Sequence, residues 1–409
     1  MTGNLAGISG IVGRARRSNT EPTETAKVAS SNAMKHTSLH DRLDLLSAKG
    51  VEIVDPRQTF IDDTVHLDRI FPGSVLFPGT RISGATTVIA PGAKIGSEGP
   101  ATIADCAIGE NAEVASGYVT GSVLLTKARI GANGHIRAGT LLEEEASTAH
   151  AVGLKHTILT SYVTLGSLIN CCDCLISGGR SRSNHTEVGS GFIHFNFTPW
   201  GENGDKATPS LMGGVPKGVF LREQRIFLGG SSGMVGPNRV GFGSFTVAGQ
   251  VIRSDVPAGR IYSETPRRVD APWDFRLGGS RRSRLDRNLE YIGHLYALRA
   301  WYTSVRKPRI PSSQAPSHLA MTIEAAIELL DGSIVERWTR LGQFLRYNGS
   351  QLPPIRPPTI PPCPLPAEPS PVSHLDWVKN LADEDVSAGV RWLQEIADAF
   401  AASNKLGDC

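Results

Sequence analysis

Polar side chains that could carry chemistry are concentrated between Arg137 and Lys206, in a stretch otherwise built from small and β-branched residues. Arg137, Lys155 and Asp173 recur at intervals of 18 residues, and Ser167 and His185 share that interval. A guanidinium and an ammonium held side by side suit the oxyanion of a phosphate or carboxylate. An imidazole nearby is the side chain that takes a proton in the neutral range. His185, in "NHTEVGSG", lies one such interval beyond Ser167, and His194 is the other imidazole close by. His194 and Lys206 lie within "GFIHFNFTPWGENGDKATPSLMG" (191–213), in which three Phe, a His and two Asn surround a Pro-Trp-Gly turn. Alternation through Phe192, His194 and Asn196 places His194 on the same side as Asn196. Isolated charges on a solvent face usually do nothing specific, but these cluster beside an irregular insertion.

The element that must position them has a period of six. Apolar residues recur at Leu124, Ile130, Ile136 and Leu142, and again at Leu228, Met234, Val240, Thr246 and Ile252. Glycine often follows the apolar residue, as at Ile95-Gly96, Ile130-Gly131 and Val240-Gly241. Neither an α-helix nor a hairpin meander has this period. A mainly β, parallel β-helix of triangular section does: each side uses one hexapeptide, its apolar residue points inward, and a small residue turns the corner. Three sides make a coil, so residues 18 apart should lie about 4.8 Å apart on successive coils. The interior is narrow, so the polar residues above are expected to face outward.

The hexads begin near Pro56 and cease after Glu264. The expected organisation is a disordered segment 1–35, which holds Arg14, Arg16 and Arg17, followed by a β-helix domain 36–266. A helical extension over 267–350 follows, then a proline-rich linker 351–372 and a last helix within 373–409. Apolar stripes at Leu285, Leu289, Ile292 and Tyr296, at Ile323, Ile327, Leu330, Ile334, Trp338, Leu341 and Leu345, and at Val386, Val390, Leu393, Ala397 and Phe400 mark the helices. Ten prolines within 351–372 predict an extended, semi-rigid connection.

A chain of 409 residues with 42 Lys+Arg against 39 Asp+Glu has no strong global field, so composition implies neither nucleic acid nor an anionic membrane. No apolar run reaches the roughly 18 residues of a spanning helix, and the N-terminus lacks an apolar signal region, so a soluble, cytoplasmic protein is expected. Six cysteines in such a chain make no disulfide framework. His156, His185 and His194 are separated by 29 and 9 residues, which is no multiple of a coil, and "CCDC" (171–174) lacks a second ligand cluster. No metal is expected.

The chain over roughly 55–266 resembles the C-terminal acetyltransferase half of the bifunctional N-acetylglucosamine-1-phosphate uridylyltransferase/glucosamine-1-phosphate acetyltransferase, without a counterpart of the uridylyltransferase half. "IRAGTLLEEEA" is similar to that family's Arg-Pro-Gly-Ala-Glu-Leu-Leu-Glu-Gly stretch and places Arg137 on a phosphate-binding arginine, with Lys155 on a second phosphate-binding lysine. "FNFTPWGENGDK" is similar to its Cys-Asn-Tyr-Asp-Gly loop, with Asn196 and Phe197 on the Asn-Tyr pair and Lys206 on the loop lysine. "FLGGSSGMVGPNRVGFGSFTVAGQVIRSDVPAGRIYSETP" resembles its coenzyme-binding coils, with Gly230 and Ala248 at positions whose backbone meets coenzyme A.

The resemblance implies a left-handed β-helix, acetyl-CoA or another acyl-CoA as co-substrate, a homotrimer with sites between subunits, and acyl transfer to a small anionic amine such as an amino-sugar phosphate or nucleotide sugar. Departures are as specific. Ser167 stands where the family has its histidine base, Asn170 replaces a nearby aromatic, Phe197 replaces the loop tyrosine and Glu264 an arginine. About six extra residues, including "RSRSNH", precede the Asn196 loop. The base is therefore expected at His185, or at His194, with Asn196 or backbone N–H groups meeting the oxyanion. The rival expectation is a non-catalytic sugar-nucleotide-binding or structural trimer.

Overall fold

In the computed structural model, described for residues 38–198, 204–265, 268, 270–272, 281–311, 317–347 and 349–405, the hexads form a parallel β-helix of about 11 turns followed by helices. The first face is an 11-stranded parallel sheet running from Glu52–Ile53 to Ile261–Tyr262. The second face starts at Phe60–Ile61 and includes Gly134–Ile136, and the third starts at Val88–Ile89 and ends at Arg239–Val240. Two seven-residue strands, Gly153–Leu159 and Asn170–Ile176, run through the corner and join these two faces into one sheet. The inward residues of all three faces, Ile95, Ile130, Ile136, Leu142, Leu154, Leu228 and Met234 among them, stack into one buried core. Segment 1–35 lies outside the described residues.

Helix α1 (Leu39–Ala48), which the hexad pattern does not predict, belongs to this domain. Ser38 and Asp41 form a reciprocal capping box at its start, and Leu43 and Leu46 enter the core of the coil. The signal was present in "SLHDRLDLL", where Ser precedes an acidic third residue and leucines follow at helical spacing.

The three faces differ outside. On the middle coils of the first face a charged or polar residue precedes the inward one, as in Lys94-Ile95, Glu113-Val114 and Arg129-Ile130. On the third face, up to its last strand, both residues are apolar: Val88-Ile89, Val123-Leu124, Leu141-Leu142, Ile158-Leu159, Leu175-Ile176 and Leu211-Met212. Their outward members stack in register and form a second core with the C-terminal helices. Each such side chain contributes roughly 1.5–3 kcal/mol when it leaves water.

The cover consists of α2 (Val215–Gly218), α3 (Arg281–Trp301), α4 (His318–Tyr347), α5 (His374–Asn380) and α6 (Asp383–Ser403). α4 lies along the third face, and α3 packs between α4 and α6. The three helical stripes read from sequence fall within α3, α4 and α6. Residues 351–372 have no regular structure and lie against α6, where Trp392 Nε1 donates to Pro361 O at 3.0 Å and Asn404 binds the Arg356 backbone in both directions. Among the described residues no helix is long and apolar enough to cross a membrane, and no group of His, Cys, Asp and Glu is arranged to hold a metal ion.

Candidate functional site

Ile136 pairs with Leu154, and the Arg137 N–H donates to Leu154 O at 2.9 Å, so Arg137 and Lys155 occupy equivalent places on consecutive coils at the edge between the second and third faces. Both side chains are half-buried. Arg137 Nη2 lies 3.6 Å from the Cys172 Sγ and its Nε has no partner, and neither cation makes an ion pair among the described residues. Two neighbouring cations with no direct ion pair form a site that an oxyanion completes.

The column does not continue to Asp173. The next step is 17 residues, and Lys155 stacks over Cys172. Asp173 sits at the corner itself in the left-handed region, with φ +61°, and is buried rather than facing solvent. Its carboxylate meets the Arg337 guanidinium of α4 at 3.0 Å and accepts from the Asn196 side chain. Burial pushes its pKa up, against the opposing charge of Arg337. Arg337 also binds Glu336 at 2.6 Å. Burial works against the Glu336 charge, yet hydrogen bonds from Arg337 and Arg340 draw that carboxyl down to about 2. His156 Nε2 lies 4.0 Å from Glu336, and burial lowers the imidazole to about 4.

The Asn196 loop leaves the second face after Ile193–Phe195 and rejoins the third at Ser210–Met212. Thr198 and Asp205 bridge its neck through paired backbone bonds of 3.0 and 2.8 Å. α3 holds that neck: Arg284 pairs with the Asp205 carboxylate, and Asn288 Nδ2 donates to Ala207 O at 3.0 Å. Phe197 and Lys206 are exposed. Residues 199–203, with Trp200, lie outside the described residues.

His194 points inward, against the outward orientation expected of it. It stacks over Met234 in the core, its Nε2 is 2.8 Å from Ser210 Oγ, and burial lowers it to about 4. A neutral imidazole bonded to a small hydroxyl fits this interior, which the narrow-coil argument did not allow for.

The expected stacking of Ser167 under His185 also fails. Leu165 pairs with Val188, a step of 23 residues, so Ser167 meets Ser190, its N–H donating to Ser190 Oγ at 3.1 Å. The excess lies in an antiparallel hairpin, Gly179–Ser181 with Asn184–His185, at the edge between the third and first faces. There His185 Nδ1 is 2.7 Å from Arg182 O and Nε2 is 3.8 Å from Glu187. Within one chain His185 and the Arg137–Lys155 pair lie on different edges.

Ser167 has another partner that the uniform step concealed. Ser147 pairs with Thr164, a step of 17, which brings His150 under Ser167 with Nδ1 and Oγ 3.0 Å apart. Both lie on the edge between the first and second faces, and that edge continues through Ser190, whose O accepts from Ser231 N at 2.7 Å. Gly230 follows, and its O accepts from Gly249 N at 3.0 Å. A Cβ on Gly230 would stand 2.9 Å from Ser190 O, so only glycine permits this close backbone stacking. Gly230 and Ala248 therefore lie one coil apart on the same edge as His150 and Ser167.

No family model matches the chain. Curated relatives do: it is 33% identical over 212 residues to the bifunctional protein GlmU of Paenarthrobacter aurescens, covering 52% of this chain and 37% of that protein. It is 30% identical over 234 residues to that of Pelobacter propionicus, 57% of this chain and 45% of the relative, and 31% identical over 216 residues to that of Desulfitobacterium hafniense, 53% and 42%. The chain spans less than half the length of these relatives. Over about half of its own length, the β-helix carrying Arg137, Lys155 and the Asn196 loop resembles the bifunctional protein GlmU.

Proposed function

We propose that this protein is an acyl-CoA-dependent N-acyltransferase whose acceptor is a small anionic amine such as an amino-sugar phosphate or nucleotide sugar. The observation that carries this reading is the stacking of Arg137 over Lys155, neither of which makes an ion pair among the described residues. Two adjacent donors of positive charge favour a phosphate over a neutral sugar. Asn196, fixed by Asp173, and the exposed Phe197 and Lys206 stand at the loop on the same edge and would close over the acceptor.

The edge through His150, Ser167, Gly230 and Ala248 fits the thioester partner, since Gly230 and Ala248 offer a flat, side-chain-poor track of backbone groups. Acyl-CoA supplies the activated carbonyl. The chain's own part is to orient the amine through its anion, to take its proton as the new C–N bond forms, and to return that proton to the departing sulfur. His150, hydrogen-bonded to Ser167 where the resembled family has its histidine, is the base we assign, and His185 is the alternative. The acceptor pair and the coenzyme track lie on different edges of one chain, so the reading requires neighbouring chains of a homotrimer to complete each site.

The test is incubation with acetyl-CoA and a panel of amino-sugar phosphates while free thiol is followed, alongside sedimentation equilibrium. Thiol release that disappears in Lys155→Ala supports the transferase. Ser167 at the position of the family's histidine and Phe197 in place of its tyrosine favour a second reading, a sugar-nucleotide-binding trimer without turnover. Acceptor binding without any thiol release would select that reading.

A further inference from the structure

A cavity of about 440 Å³ lies away from both of these edges. It opens between the β-helix, at Lys127 and Tyr162, and the helical cover, at Arg306, Arg309 and Lys379. Its volume falls in the range of small-molecule pockets. Ile310, Leu319, Ile323 and Val372 supply an apolar wall.

Two arginines beside it differ in how their charge is met. Arg306 has its charge met by two carboxylates: Glu143 and Glu144 both pair with it, and Tyr302 Oη donates to Glu143 at 2.8 Å. Arg309 is 6% exposed, and its guanidinium donates from Nη2 to Val372 O at 3.2 Å and stacks over the Trp377 ring at 4.1 Å. Among the described residues it makes no ion pair. None of the four carboxylates in the wall, Glu110, Glu144, Glu145 and Asp376, meets it. Glu110 faces His318 at 3.5 Å, Glu144 is taken by Arg306, and Asp376 accepts from Ser373 Oγ at 2.7 Å.

A guanidinium does not give up its proton inside a protein, so burial without a counter-charge is costly and an anion from outside relieves it. At the mouth, Lys379 Nζ donates to Tyr162 Oη at 2.6 Å, which adds a second cation and a hydroxyl on the path inward.

We propose that this cavity binds a small organic anion, a carboxylate or phosphomonoester on a compact apolar body, with its oxyanion on Arg309 and its body against Leu319 and Ile323. The site is separate from the acceptor and coenzyme edges and exists only because the C-terminal helices fold back onto the coil.

Calorimetric titration of the full chain with hexanoate, hexyl phosphate and hexanol tests it. One-to-one saturable binding of at least one anion, about tenfold or more tighter than hexanol, is expected, and the tighter anion identifies the headgroup. Arg309→Gln should weaken that binding about tenfold or more while Arg309→Lys retains part of it. Leu319→Trp, which fills the cavity from its rim and leaves Arg309 in place, should abolish binding without unfolding the chain and decides the matter if Arg309→Gln does not fold. No preference for the anions over hexanol, or undiminished affinity in Leu319→Trp, would overturn the proposal.

Discussion

Arg337 of α4 and Asp173 of the coil are joined at 3.0 Å, both almost fully buried, so the helical cover is tied to the corner that holds the Asn196 side chain. Removing one partner of such a pair leaves an uncompensated buried charge. Arg337→Ala should cost about 3 kcal/mol or more of stability, and replacing both residues together, Asp173→Asn with Arg337→Met, should recover most of that loss. Thermal unfolding of the parent and the two variants measures this. Equal stability of Arg337→Ala and the parent would remove the pair from any structural role.

Arg137 and Lys155 make no ion pair among the described residues whose loss would destabilise the fold, so their effect should appear in binding. Arg137→Ala and Lys155→Ala should each raise KM for a phosphorylated acceptor about tenfold to a hundredfold, with a smaller effect on an unphosphorylated amine and an unfolding temperature close to the parent's. A KM that stays constant for the phosphorylated acceptor would show that the anion sits elsewhere.

The two candidate bases separate cleanly because they lie on different edges. If His150 takes the amine proton, His150→Ala should lower kcat by about 10²- to 10⁴-fold, while His185→Ala leaves kcat close to the parent's. The opposite pattern would assign the role to His185, supplied across a subunit contact.

Buried imidazoles set the acid stability, and two of them are fully enclosed. His194, inside the coil, and His294, whose Nδ1 accepts from the Val215 N–H at 3.1 Å, are both lowered to about 4 by burial. An unfolded histidine titrates near 6.5, so between pH about 6.5 and 4 the unfolded chain binds more protons than the folded one. Stability is then fully present above pH about 6.5 and falls as pH drops toward 4, by on the order of 3 kcal/mol for each group once it is protonated. A denaturation series from pH 7 to pH 4.5 should show this decline. His294→Gln should make it shallower, and an unchanged slope in that variant would show that His294 is already charged in the folded state.

The sequence by itself determined the coil. A period of six with a small residue at the corner admits one way of burying the apolar residue, and Ile130, Ile136 and Leu142 point inward as their spacing requires. It also determined the stripes of α3, α4 and α6. It even carried, unread, the identity of the covered face, because paired apolar residues such as Leu141-Leu142 and Ile158-Leu159 are buried on both sides, whereas Arg129-Ile130 is buried on one.

Only the tertiary structure decided which residues stack across coils. A local pattern fixes where each strand points, but a corner can absorb or lose a residue without disturbing it, so the step is 18 at Arg137 and Lys155, 17 at His150 and Ser167, and 23 at Leu165 and Val188. A difference of one residue moves Asp173 from an open edge into a buried ion pair and puts His150 under Ser167. The partner in that ion pair, Arg337, comes from a helix more than 160 residues further along the chain, and no spacing rule reaches across such a separation.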